Sequence, residues 1–230
     1  MSGRYQLVQT PERLELHDTQ DAKIGPVYVD FLEGKARHRQ QFGGGKGQDI
    51  AKAIGLHKFK QPHVIDATAG LGRESFVLAS LGCSVTMLER SPIVHALLED
   101  AMKRALASDS AEVLETVSRM TLHLADAHAW LEQFGAVSQP DVIYCDPMFP
   151  ERRKTALVQK EMRFFHAVVG ADADSDSLLG LACRYAKHRV VVKRPRHAPV
   201  LAGSQPAFVI GGKAVRYDVY LGKATAQEHA

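Results

Sequence analysis

The sequence predicts an α/β fold built on a mostly parallel, doubly wound sheet, and three observations predict it. From His63 onward, short apolar runs alternate with helical patterns. Such alternation joins parallel strands through helices that cover both faces of one sheet. The first run opens into a glycine-rich turn, Asp66-Ala-Thr-Ala-Gly-Leu-Gly-Arg-Glu74, at the carboxyl end of a strand, where doubly wound sheets bind ligands. The last two runs flank Gly211-Gly212 and read as a hairpin, which must add an antiparallel strand.

The 230 residues fit one ordinary domain with a small extension. Residues 1–60 are expected to form that extension. It holds short alternating strands over 13–17 and 27–31, a basic stretch over 35–39, a glycine-rich loop over 43–47, and a helix over 48–54 stopped by Gly55. Residues 61–225 are expected to form the main domain and 226–230 a tail. In the main domain, a strand at Val64-Ile65 leads through the glycine turn into a helix over 73–81, stopped by Gly82. A second strand over 84–88 is followed by a helix from Pro92 to about 107. Proline in the first turn behind Ser91 is the start signal. Strands follow over 121–124 and 141–145, then a helical region to about 187, interrupted by Gly170 and an acidic turn over 172–176. A fifth strand over 189–193 precedes the hairpin over 207–210 and 214–221. Seven strands, five parallel and then a hairpin, suit the Rossmann-like class I methyltransferase arrangement better than a dehydrogenase.

Composition narrows the class. The chain is 45% hydrophobic and 24% charged, the balance of a globular protein with a sizeable core. No apolar stretch approaches the roughly 18 residues of a membrane span, and the polar start, Met1-Ser-Gly-Arg-Tyr-Gln6, lacks the apolar core of a secretory signal. Cys83, Cys145 and Cys183 lie far apart with no CxxC pair. That spacing points to a reducing cytoplasm and away from structural zinc, and no histidine spacing suggests another metal. A net charge of +3 requires any nucleic-acid-binding charge to be concentrated on one face.

The cofactor reading rests on successive strand ends. In the turn, Asp66, Ala67, Gly70 and Gly72 let the backbone approach a ligand closely. Glu89 ends the second strand, where an acidic side chain can accept both hydroxyls of a ribose. Asp126 follows the third strand, within reach of an adenine amino group. A dinucleotide enzyme would share the turn and Glu89. Here, however, Arg73-Glu74 follows Gly70-Leu-Gly72 and the third glycine of GxGxxG is absent, which suits a ligand without phosphates. S-adenosylmethionine is such a ligand, and Asp66 is suitably charged for its cationic end. The run Gly43-Gly-Gly-Lys46-Gly fails as a phosphate loop because no Ser or Thr follows Lys46.

The catalytic reading rests on Asp146-Pro147-Met-Phe149-Pro150, directly after the fourth strand. It is close to the Asp/Asn-Pro-Pro-Tyr/Phe of enzymes that methylate amino groups of bases. An exocyclic amine is a poor nucleophile because its lone pair is delocalised into the ring. Acceptors at the Asp146 carboxylate and the Pro147 carbonyl can bind its N–H groups and favour a pyramidal nitrogen. Phe149 offers an aromatic face for an unstacked base. Cys145 precedes this motif inside an apolar run and reads as a core residue, which disfavours a cysteine-dependent attack on a pyrimidine ring. Positive charge gathers beside the motif at Arg152, Arg153 and Lys154, with Lys160 and Arg163 behind, at Lys193, Arg194 and Arg196, and at Lys46. Together they suggest a phosphate-binding surface around the target base.

Four segments, 66–74, Met87-Leu-Glu-Arg-Ser-Pro92, 146–150 and Val190-Val-Val-Lys-Arg-Pro195, together resemble the bacterial RsmJ family of small-subunit ribosomal RNA guanine-N2 methyltransferases. The resemblance runs from Phe42 nearly to the C-terminus. It implies a cytoplasmic enzyme that methylates a guanine of 16S ribosomal RNA, free or in the small ribosomal subunit. It also implies cofactor contacts at Arg73-Glu74, Glu89-Arg90, Asp126-Ala127 and Asp146. Family members commonly carry aspartate where this chain has Glu74, a conservative departure. The residues alone reach only an amino group of a base. An enzyme acting on adenine or guanine of DNA or another RNA would keep every site assignment.

Overall fold

The computed structural model describes residues 3–21, 25–33, 45–147, 175–212 and 214–223. Its centre is a seven-stranded sheet. In chain order the strands are β3 (His63–Asp66), β4 (Ser84–Glu89), β5 (Met120–Leu124), β6 (Val142–Cys145), β7 (Arg189–Pro195), β8 (Phe208–Gly211) and β9 (Val215–Leu221). Across the sheet the order is β5-β4-β3-β6-β7-β9-β8. The first five are parallel neighbours, and β9 runs antiparallel to both β7 and β8. The order reverses at β3, so β4 and β6 flank it and a crevice opens at their carboxyl ends. The expected architecture is borne out.

Period-two alternation assigns the two faces of the sheet. Val64, Val85, Met87, Val142, Tyr144, Val191 and Val219 belong to one apolar cluster, and Ile65, Leu88, Ile143, Cys145, Val190 and Val192 to the other. Both faces are buried, so the central strands read as near-continuous apolar runs. Each fully buried aliphatic side chain contributes about 1.5–3 kcal/mol. The first cluster is covered by helices α1 (Asp49–Ile54), α2 (Arg73–Ser80) and α3 (Pro92–Leu106), and the second by α5 (Ala127–Ser138) and α6 (Ser175–Tyr185). Helix α4 (Ala111–Val117) lies between α3 and β5. Sequence signals set several of these ends. Gly55, at φ 85°, closes α1 by donating its N–H to Ala51 and Lys52, and Ser91 caps α3 ahead of Pro92.

The N-terminal residues form a ribbon in which β1 (Tyr5–Gln9) pairs antiparallel with β2 (Leu14–Asp18). Thr10 makes the turn, its hydroxyl donating to the Arg13 carbonyl and accepting from the Arg13 N–H. Arg4 closes the open end on the buried Asp18 carboxylate at 2.7 Å. The strand expected over 27–31 is not formed: only Val27 bridges Leu16. Its alternation is satisfied by packing, with Val27, Val29 and Phe31 buried in the first cluster. This strap is pinned to α3 by Arg104, which donates to the Val29 carbonyl at 2.5 Å and pairs with Asp100 at 2.8 Å. The basic stretch over 35–39, the loop before Gly45, the start of the expected helical region through 174, and the tail lie outside the described residues.

Candidate cofactor and base site

The carboxyl edge of the sheet gathers the candidates. Asp66 ends β3, Glu89 ends β4, Asp126 follows β5, Asp146 and Pro147 follow β6, and Lys193 lies near the end of β7. Asp66 is buried, accepts from Ser75 Oγ at 2.5 Å and from the Thr68 N–H at 3.2 Å. Burial pushes its carboxyl up to about 7, against these bonds, with the nearby charges of Glu74 and Asp146 adding to the rise. Gly70 and Gly72 take positive φ, 54° and 69°. At Gly72 a Cβ would lie 2.6 Å from Leu98 and 3.2 Å from Phe31. The glycine is therefore needed for close packing of turn, α3 and strap as well as for its backbone conformation.

Glu89 is a brace. One oxygen accepts from the Gly70 N–H at 3.0 Å and the other from the Ser91 N–H at 2.7 Å, so it ties the glycine turn to the start of α3. Asp126 caps α5, accepting from the Ala129 N–H at 3.0 Å, with Ala127 buried behind it. Arg73 and Arg90 are half-buried beside the turn and β4.

Asp146 is joined to the cofactor turn by its N–H, which donates to Thr68 Oγ1 at 2.6 Å. The Lys193 ammonium lies between Asp146 Oδ2 at 2.7 Å and Glu74 Oε1 at 2.9 Å. Burial alone would depress this lysine, but the two carboxylates outweigh it and hold the ammonium protonated. Sequence reasoning placed Lys193 among the phosphate contacts. The structure corrects this, because β7 continues to Pro195 and period two turns Lys193 toward α2. Arg194 is corrected too: it is buried and donates to the Pro199 carbonyl. Arg196 is exposed near Arg216, and Lys46 is exposed in the turn over Gly45–Gly47. Phe149, Arg152, Arg153 and Lys154 lie outside the described residues. Sequence reasoning also missed Tyr144, whose buried hydroxyl has no hydrogen-bond partner among the described residues.

The donor set fits a ligand with a diol, an amino-substituted purine and a cationic end. Carboxylates stand at three successive strand ends, and a buried hydroxyl, Tyr144, lies within electrostatic range of Asp66, Glu74 and Asp146. Cys145, the last residue of β6, is buried in the second apolar cluster, on the opposite face of the sheet from Tyr144. Among the described residues, no helix is long and apolar enough to cross a membrane and no His, Cys, Asp or Glu cluster could hold a metal ion.

A family model described as "Putative SAM-dependent methyltransferase" matches residues 2–222. A protein of Aeromonas salmonicida named ribosomal RNA small subunit methyltransferase J is 51% identical, over 97% of this chain and 88% of its own. One of the same name from Cellvibrio japonicus is 50% identical, over 94% of this chain and 83% of its own. Among solved structures, a SAM-dependent methyltransferase of Neisseria gonorrhoeae is similar with a TM-score of 0.78 at 37% identity, covering 100% of this chain and 88% of its own.

Proposed function

The chain belongs to this family of SAM-dependent methyltransferases, and from that premise we propose that it methylates the exocyclic N2 of a guanine in small-subunit (16S) ribosomal RNA. The names of its half-identical relatives support the RNA, and from that substrate we infer a cytoplasmic enzyme. The observation that carries the chemistry is the bond from the Asp146 N–H to Thr68, which fixes the base-binding motif to the cofactor turn.

In this reading Asp66, Ala67, Gly70, Gly72, Arg73, Glu74, Glu89, Arg90, Asp126 and Ala127 hold the cofactor, with Asp146 at the junction. When bound, S-adenosylmethionine supplies a methyl group made electrophilic by its sulfonium. Asp146 and the Pro147 carbonyl accept the N–H groups of the target amine, orienting its lone pair toward that methyl. The methylated nitrogen is acidic, and Asp146 or water takes its proton. Phe149 stacks the base. Arg152, Arg153, Lys154, Arg196 and Lys46 contact RNA phosphates, now without Lys193 or Arg194. We also propose that residues 1–60 act as an extension of a domain spanning 61–225.

The test is radiolabelled methyl transfer to small subunits lacking their native methylations, with Asp146→Ala as control. Label is expected in N2-methylguanine, falling about 1000-fold in the variant at saturating cofactor. Label in another base, or none, would overturn the substrate.

A further inference from the structure

We propose that Lys193 is a positioning residue for methyl transfer, its ammonium tying the Asp146 carboxylate on the base side to the Glu74 carboxylate on the cofactor side. This rests on the proposed function only in placing the target amine at Asp146.

The geometry makes the link specific. Asp146 is held twice, through its N–H to Thr68 at 2.6 Å and through Oδ2 to Lys193 at 2.7 Å. Backbone and side chain are thereby both fixed. Glu74, in the first turn of α2, takes the same ammonium at 2.9 Å. A shift of the cofactor-side carboxylate is therefore carried to the base-side carboxylate through one nitrogen. Without that nitrogen, Asp146 and Glu74, both within electrostatic range of Asp66, would lose the ammonium they share. Their repulsion would turn Asp146 away or drive it to bind a proton, and either change removes an acceptor aimed at the amine.

A role in stability alone does not account for the arrangement. Partly exposed ion pairs add little to stability, and this cluster is only half-buried, with side-chain exposures of 22% at Lys193, 18% at Glu74 and 36% at Asp146. The surrounding wall is aromatic. Tyr217 lies across from Lys193 on β9, and Tyr144 shares its face on β6 with its hydroxyl buried and unpartnered among the described residues. A charge triad in such a wall has its main use where the direction of a carboxylate matters.

The experiment measures single-turnover methyl transfer at saturating S-adenosylmethionine, together with the dissociation constant of S-adenosylhomocysteine, on the full chain. Lys193→Met is expected to lower the transfer rate about 100-fold, the scale of a misplaced catalytic group, with product affinity changed by less than about threefold. Lys193→Arg is expected to recover at least tenfold of that loss. In an Asp146→Asn background, Lys193→Met should cost less than about threefold more, because it acts through Asp146. The proposal is overturned by an unchanged rate, by a loss of product affinity that accounts for the rate, or by an equal loss in the Asp146→Asn background. If Lys193→Met does not fold, Lys193→Gln is held to the same criteria. A wild-type product other than N2-methylguanine would overturn the substrate assignment and leave this one standing, since the ratio of variant to wild type is read on whichever base is methylated.

Discussion

The two halves of the carboxyl edge are held by different means. On the cofactor side, Asp66, Glu89 and Asp126 are anchored by backbone N–H groups of their own turns and helix starts. On the base side, Asp146 is oriented by a side-chain ammonium, which it shares with Glu74 of the cofactor side. Backbone anchors are inseparable from the fold, so cofactor affinity and stability should fall together there. A side-chain anchor can be removed with the fold intact, so rate and affinity should separate. The Lys193 variants test the second half of that contrast, Glu89→Ala and Asp126→Ala test the first, and Asp66→Asn isolates the titration of the buried carboxyl.

Glu89→Ala should have the largest effect. It leaves the Gly70 and Ser91 N–H groups without their acceptor, and each buried unpaired donor costs about 1–3 kcal/mol. Denaturant unfolding should report a loss of about 2–5 kcal/mol, and calorimetry about 100-fold weaker cofactor binding. Lost affinity with stability unchanged would break the contrast.

Asp66→Asn should act in the opposite direction and depend on pH. The folded carboxyl is raised to about 7, above its unfolded value of about 4. The stability carried by its neutral form is therefore fully present below about pH 4 and lost as pH rises through about 7. Asparagine removes that loss. The variant should gain about 4 kcal/mol over wild type at pH 8 and little at pH 4. An equal difference at both pH values would show that Asp66 is not the titrating group.

Asp126→Ala should be the mildest, costing about 1 kcal/mol as a lost N-cap, with about tenfold weaker cofactor binding. Unchanged affinity would assign Asp126 to capping alone and confine the cofactor contacts to β3 and β4.

The strands β3 through β7 were legible because a sheet buried on both faces writes itself as apolar runs between glycine and proline punctuation. The ribbon was not. β1, Tyr-Gln-Leu-Val-Gln, is half-exposed and mixed, and the strap at Val27 mimics a strand because its alternate residues pack without a ladder. Helix α5 escaped because Gly135 interrupts its pattern. That glycine answers to Tyr185, whose ring would lie 2.6 Å from a Cβ, a contact 50 residues away that no local pattern carries. In the site, the aspartates and Glu89 were legible from their places at strand ends, though their structural duties as brace and cap were not. Lys193 and Arg194 read as surface charge because the strand was ended at 193. Carried two residues further, the same alternation puts Lys193 on the Glu74 face and Arg194 on the other.

The strap has a consequence for how the molecule is made. Phe31 stacks on Phe76 at 4.8 Å and closes against Gly72, and Arg104 of α3 grips the strap. During synthesis the strap emerges first, yet its seat does not exist until more than seventy further residues have been added. Until then Val29 and Phe31 have no surface of their own to rest on, and the glycine turn, once formed, lacks its backing. The glycine turn is thus backed by a segment that must wait for α3 before it can pack.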